Sequence, residues 1–196
     1  MILPIVAYGD PVLKRKAKEI PEDYPDLQKL IDDMFETMYN ASGVGLAAPQ
    51  IGKSIRLFIV DASPFAEDDD VPEKVKALLK DAKEVFINPT IVEESGDEWD
   101  FSEGCLSIPD IREDVFRKPN IRLEYYDRDF NFKTLELDGL YARVIQHEYD
   151  HIEGILFTDK LSSFKRRLIK GKLNNISKGK VKADYRMRFP NLSKKR

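Results

Sequence analysis

The chain has 196 residues, 42% of them hydrophobic and 34% charged, which is the balance of an ordinary folded domain with room for one core. A single cysteine excludes an internal disulfide framework and suits a reducing compartment, so the cytoplasm is the expected location. The net charge of −3 conceals an asymmetry, because residues 165–196 hold 13 Lys and Arg against one acid, Asp184, a balance of +12, while the rest stands at −15.

No run of about 18 apolar residues occurs, so no membrane span is expected. The opening Met1-Ile2-Leu3-Pro4 lacks the basic start of a signal peptide. Pro11, Pro21 and Pro25 punctuate residues 10–24 as loop and turn. The spacing of Leu27, Leu30, Ile31, Met34 and Met38 predicts an amphipathic helix over 25–40. A Gly- and Ala-rich loop follows from Gly43 to Gly52, then a strand over 55–60. The acidic stretch 67–70 lies in an exposed loop, and 73–82 reads as a short surface helix.

Strand signals cluster at 84–93, 121–126 and 132–137, with a hairpin turn at 127–131. Helical periodicity returns over 139–152 through Leu140, Val144 and His147. It recurs over 158–172 through Leu161, Phe164 and Leu168. No repeat and no linker divides the chain. Strands that run in series and pair locally predict an α+β fold.

Both histidines lie in His147-Glu148-Tyr149-Asp150-His151. On a helix, positions i and i+4 share a face, so two imidazoles can grip one divalent ion with Glu148 beside them. The longer zinc-protease pattern fails, because Phe157 stands where its third His would be. The third protein ligand must then be a carboxylate or the lone thiolate. Cys105 is favoured, since it sits in Glu103-Gly104-Cys105-Leu106-Ser107 between segments that read as strands, and thiolate with two imidazoles is a known catalytic set.

Three motifs in this order, Gly43-Val44-Gly45-Leu46-Ala47-Ala48-Pro49-Gln50, the Cys105 pentapeptide and Gln146-His147-Glu148-Tyr149-Asp150-His151, resemble the signature of the peptide deformylase family. Gly9-Asp10-Pro11-Val12-Leu13 is similar to that family's opening segment, and the resemblance covers about residues 1–165. It implies a metal-dependent hydrolase that removes the formyl group from N-terminal formyl-methionine and releases formate. It further implies antiparallel sheets packed around a central helix that carries the His-Glu-x-x-His motif. Residues 1–175 would be the single catalytic domain and 176–196 a basic C-terminal tail.

The same resemblance implies a metal held by Cys105, His147 and His151, with Glu148 as acid and base. Fe(II) is the expected ion, and Zn(II) or Ni(II) can occupy such a site. Gln50 and the backbone N–H of Leu106 would donate to the oxyanion. Gly43, Val44, Gly45 and Glu103 are expected at the substrate, Val44, Leu140 and Val144 around its methionine side chain, and Arg112 and Arg143 near the pocket mouth. Asp150 and Gln146 would orient the ligands. Asp110, Glu113 and Asp114 depart from the family's usual small or uncharged residues. The partners implied are N-formyl-methionyl nascent peptides, with the ribosome a candidate for the basic tail. Neither membrane nor DNA is expected.

Overall fold

The computed structural model describes residues 1–191, and it turns the 25–40 spacing into one buried face of helix α1 (Leu27–Asn40). Leu30, Ile31, Met34 and Met38 pack there against Leu46, Leu57, Ile59 and Ile87. Each such side chain taken fully from water contributes roughly 1.5–3 kcal/mol. The start of α1 has no side-chain cap, and Asp26 before it is left-handed at φ 55°.

Five strands form one antiparallel sheet. They are β2 (Gly45–Ala47), β3 (Leu57–Asp61), β4 (Lys83–Ser95), β7 (Asn120–Tyr126) and β8 (Phe132–Leu137), in the spatial order β2-β3-β4-β7-β8. The expected strands at 84–93, 121–126 and 132–137 are all present. A short helix, α2 (Glu73–Leu79), stands where 73–82 predicted one. The Gly43–Gly52 segment is more ordered than a loop, since Gly45–Ala47 joins the sheet edge and Ala48–Ile51 forms a 3-10 turn.

A separate hairpin, β5 (Trp99–Cys105) with β6 (Ile108–Arg117), carries Cys105 at its tip. Its charged residues at 100, 103, 113 and 114 hide the strand alternation from a sequence reading. Between the sheet and this hairpin runs α3 (Gly139–Ile152). Ala142, Ile145 and Ile152 pack with Phe58, Val60 and Phe86 of the sheet, which settles the expected α+β architecture around the motif helix.

The last expected helix differs in extent and phase. Phe157–Lys160 is a 3-10 turn, and α4 (Ser163–Ser177) begins where the Ser162 hydroxyl accepts from the Lys165 N–H. Its buried positions are Ile169, Leu173 and Ile176, whereas Phe164 and Leu168 are 63% and 66% exposed. Leu161 precedes this cap, so a helix phased on it has its apolar face out of register with the one that forms. α4 runs through the expected boundary at 175, and the chain then returns to the body. There β9 (Met187–Arg188) pairs in parallel with β1 (Ile5–Val6). The described part of the segment after 175 is therefore built into the domain, while residues 192–196 lie outside the described residues. Among the described residues, no helix is long and apolar enough to cross a membrane.

Candidate metal centre and substrate cleft

Regular helical spacing puts His147 and His151 on the side of α3 that faces the hairpin tip. Ligand atoms of Cys105, His147 and His151 all lie within 4.8 Å of one another, and Cys105 Sγ is 3.3 Å from His151 Nε2. The donor set, one thiolate and two imidazoles, suits a borderline or soft divalent ion, so these residues fit a metal. Phe157, at the position that broke the longer motif, instead stacks its ring 6.1 Å from the His147 ring.

His147 is oriented from behind. Its Nδ1 lies 3.0 Å from Glu103 Oε2, which leaves Nε2 for the ion. Glu103 is 4% exposed, and Arg117 grips both its oxygens, at 2.7 and 2.9 Å. Burial raises the Glu103 pKa, but the hydrogen bonds from Arg117 and His147 outweigh it and hold the carboxyl well below the usual range. Arg117 also donates to Asp150 Oδ2 at 2.7 Å, which ties the hairpin to α3. Asp150 thus acts through Arg117, whereas Gln146 donates to Glu94 and the Lys118 carbonyl rather than to any of the three ligands.

Glu148 is 4% exposed and its Oε2 has no hydrogen-bond partner. Burial pushes its carboxyl up to about 7. A cation held by the adjacent ligands would draw that value down again. Gly45 makes this placement possible, because a Cβ there would lie 2.4 Å from Glu148 Oε1. At Gly43 a Cβ would meet Leu106 Cδ1 at 2.8 Å. Packing inside the protein thus needs both glycines, which also line the cavity over this centre.

Gln50, 1% exposed, is held by its carbonyl, which accepts from the Ala47 N–H at 2.8 Å. That leaves its amide Nε2 to face Cys105 Sγ at 3.5 Å and Ser107 Oγ at 3.3 Å. The amide therefore points at the ligand cluster without bringing a charge to it.

A cavity of about 680 Å³ opens over these groups. Gly43, Val44, Gly45, Gln50, Glu103, Cys105, Leu106, Val144, His147 and Glu148 line it together. Two expected pocket residues are placed differently. Leu140 is outside it, one helical turn before Val144, in a depression shared with Ile121, Leu137 and Tyr141. Arg143 is not at the mouth but in the wall, 2% exposed, over the Trp99 ring at 4.4 Å and bonded to Glu103. Glu103 reaches the cavity with its carboxylate already engaged by Arg117, Arg143 and His147. Arg112 is exposed at the rim and donates to the Ser102 carbonyl. Asp110 lines the same cavity with φ 61°, and Glu113 pairs with Lys165 at 3.2 Å.

Sequence reasoning missed Arg117, Ser107 and the wall formed by Lys182, Ala183, Asp184 and Tyr185. Arg117 carried no signal of its own, since its importance depends on two carboxylates distant in sequence.

A family model described as polypeptide deformylase matches residues 2–167. The chain is 64% identical to a peptide deformylase of Christiangramia forsetii over 196 residues, covering 100% of both. It is 62% identical to one of Flavobacterium psychrophilum, covering 96% of this chain and 97% of the relative. Among solved structures, a peptide deformylase from Thermus thermophilus is similar with a TM-score of 0.76 at 41% identity, covering 90% of this chain and 98% of that one. One from Legionella pneumophila has a TM-score of 0.76 at 38% identity, covering 92% and 98%.

Proposed function

The chain belongs to the polypeptide deformylase family, hydrolases that remove the N-terminal formyl group from nascent polypeptides, and from that premise we propose the part each residue plays. The observation that carries the reading is the cluster of Cys105, His147 and His151 beside a Gln50 amide and a partnerless Glu148 oxygen.

Cys105, His147 and His151 hold one divalent ion, Fe(II) in the working enzyme, with Zn(II) or Ni(II) as alternatives. When bound, such an ion supplies Lewis acidity that makes water a usable nucleophile at neutral pH and polarises the formyl carbonyl. Glu148 takes the proton from the attacking water and later delivers it to the leaving amine. The Gln50 amide and the Leu106 N–H donate to the oxygen that gains charge. A formamide is a stable amide, so both kinds of assistance are needed.

The methionine side chain sits against Val44 and Val144. The substrate backbone pairs with the free edge of β2, which is the terminal strand of its sheet. Arg112 stands at the rim, where residues beyond the methionine leave the cleft. Arg143 and Glu103 act from the wall by holding His147 and the hairpin in place. Leu140 supports Val144 from outside the cavity. Metal analysis of anaerobically purified protein, paired with formate release from a formyl-methionyl tripeptide, tests this. Iron at about one per chain with matching activity is expected, and activity independent of any bound ion would refute it.

The enzyme works in the cytoplasm, and its basic C-terminal region docks on the ribosome. Arg166, Arg167, Lys170 and Lys172 are exposed on α4, which supports an electrostatic contact with RNA. Because residues 181–189 return to the body, charge reversal tests this better than truncation. Arg167→Glu, Lys170→Glu and Lys172→Glu together should cut ribosome cosedimentation at least about tenfold at physiological salt. Unchanged cosedimentation contradicts the docking.

A further inference from the structure

Three anchors hold the turn that carries Cys105, Leu106 and Ser107. The Gln50 amide donates to Ser107 Oγ at 3.3 Å, and the Tyr8 N–H donates to the Ser107 carbonyl at 2.9 Å. The third is the Tyr185 hydroxyl, which donates to the Leu106 carbonyl at 2.7 Å from 79 residues further along the chain. We propose that Tyr185 is a positioning residue for the hydrolysis, fixing the Leu106 carbonyl and so limiting rotation about Leu106, which keeps the N–H of the preceding peptide unit aimed at the developing oxyanion. This rests on the reading of Leu106 as an oxyanion donor.

The clamp works by removing freedom. Peptide units are planar, so the direction of the Leu106 N–H depends on the dihedrals at Cys105 and Leu106. Cys105 is tied to the end of β5 and to the ligand cluster. Rotation at Leu106 remains, and a clamp on its carbonyl removes it. An oxyanion donor works only within a few tenths of an ångström of about 2.9 Å, so a small swing of this turn would uncouple it.

The clamp is itself well held. The Ile5 and Ala7 N–H groups donate to the Arg186 and Arg188 carbonyls, both at 2.9 Å, which fixes the segment that follows Tyr185. The Tyr185 ring packs on the same apolar cluster as Leu106, and Lys182–Tyr185 form one wall of the cleft. The C-terminal segment thus completes the site after the last of the three motifs has ended.

Tyr185→Phe in the full-length, metal-loaded enzyme removes the hydroxyl and keeps the ring. For formate release from a formyl-methionyl tripeptide, kcat should fall about tenfold with KM within about twofold. Metal content and Tm should stay at the parent values. Gln50→Ala, assayed in parallel, reports on the oxyanion reading itself. Slowing by Gln50→Ala with an unchanged Tyr185→Phe overturns the role of Tyr185 and leaves that reading intact. If neither variant is slowed, the reading fails and the inference with it. A Tyr185→Phe loss that follows lowered metal content or Tm overturns positioning in favour of a purely structural contact.

Discussion

Glu148→Gln should reduce kcat for formate release by about a thousandfold while the protein keeps its metal and its fold. General acid–base groups contribute roughly 10²–10⁴ to rate, and Glu148 is the only carboxylate on the cavity wall with an unpartnered buried oxygen among the described residues. Glutamine preserves shape, so the contact with Gly45 that the backbone already accommodates is retained. The amide can neither take a proton from water nor pass one to the amine. Because Glu148 is not in the ligand cluster, metal stoichiometry should not change. Steady-state formate assays beside metal analysis check both halves. A variant within tenfold of the parent would remove Glu148 from the proton path.

Cys105→Ser should fail differently, by losing the ion. A serine hydroxyl is not deprotonated near neutral pH and is a poor ligand for a borderline or soft metal. The cysteine is at the tip of a hairpin, 3.3 Å from His151 Nε2, so replacement leaves two imidazoles and no anionic donor. Activity should drop by more than about a hundredfold, with metal content falling in step. The fold should persist, because Arg117 ties Glu103 of the hairpin to Asp150 of α3 without using the cysteine. Full metal occupancy in this variant would show that the third ligand lies elsewhere.

Much of this centre is legible in the sequence because its chemistry rests on scarce residues at local spacings. His147, Glu148 and His151 needed only the helical repeat, the missing third His and the lone thiolate pointed to Cys105, and the family motifs supplied Gln50. Strands with clear alternation, such as 121–126 and 132–137, are equally plain. What stays hidden depends on contacts between distant segments. The β5–β6 hairpin carries charges on its buried side, and only in three dimensions do Glu103, Arg117 and Asp150 satisfy one another. Gly45 reads as room for a substrate, and only the fold shows that it also makes room for Glu148. The family resemblance puts Arg143 near the pocket mouth, yet in the fold it lies inside, where Glu103 and the Trp99 ring compensate it. The basic segment after 175 resembles a solvated tail, since a two-residue parallel ladder leaves almost no pattern in sequence.

The central claim is a division of labour, in which Cys105, His147 and His151 hold the ion and Glu148 moves the proton. Metal per chain and formate release, measured side by side for the parent, Cys105→Ser and Glu148→Gln, test it most directly. The parent should show about one ion and full activity, Glu148→Gln one ion without activity, and Cys105→Ser neither. An active Glu148→Gln, or a Cys105→Ser protein that keeps both metal and activity, would contradict it.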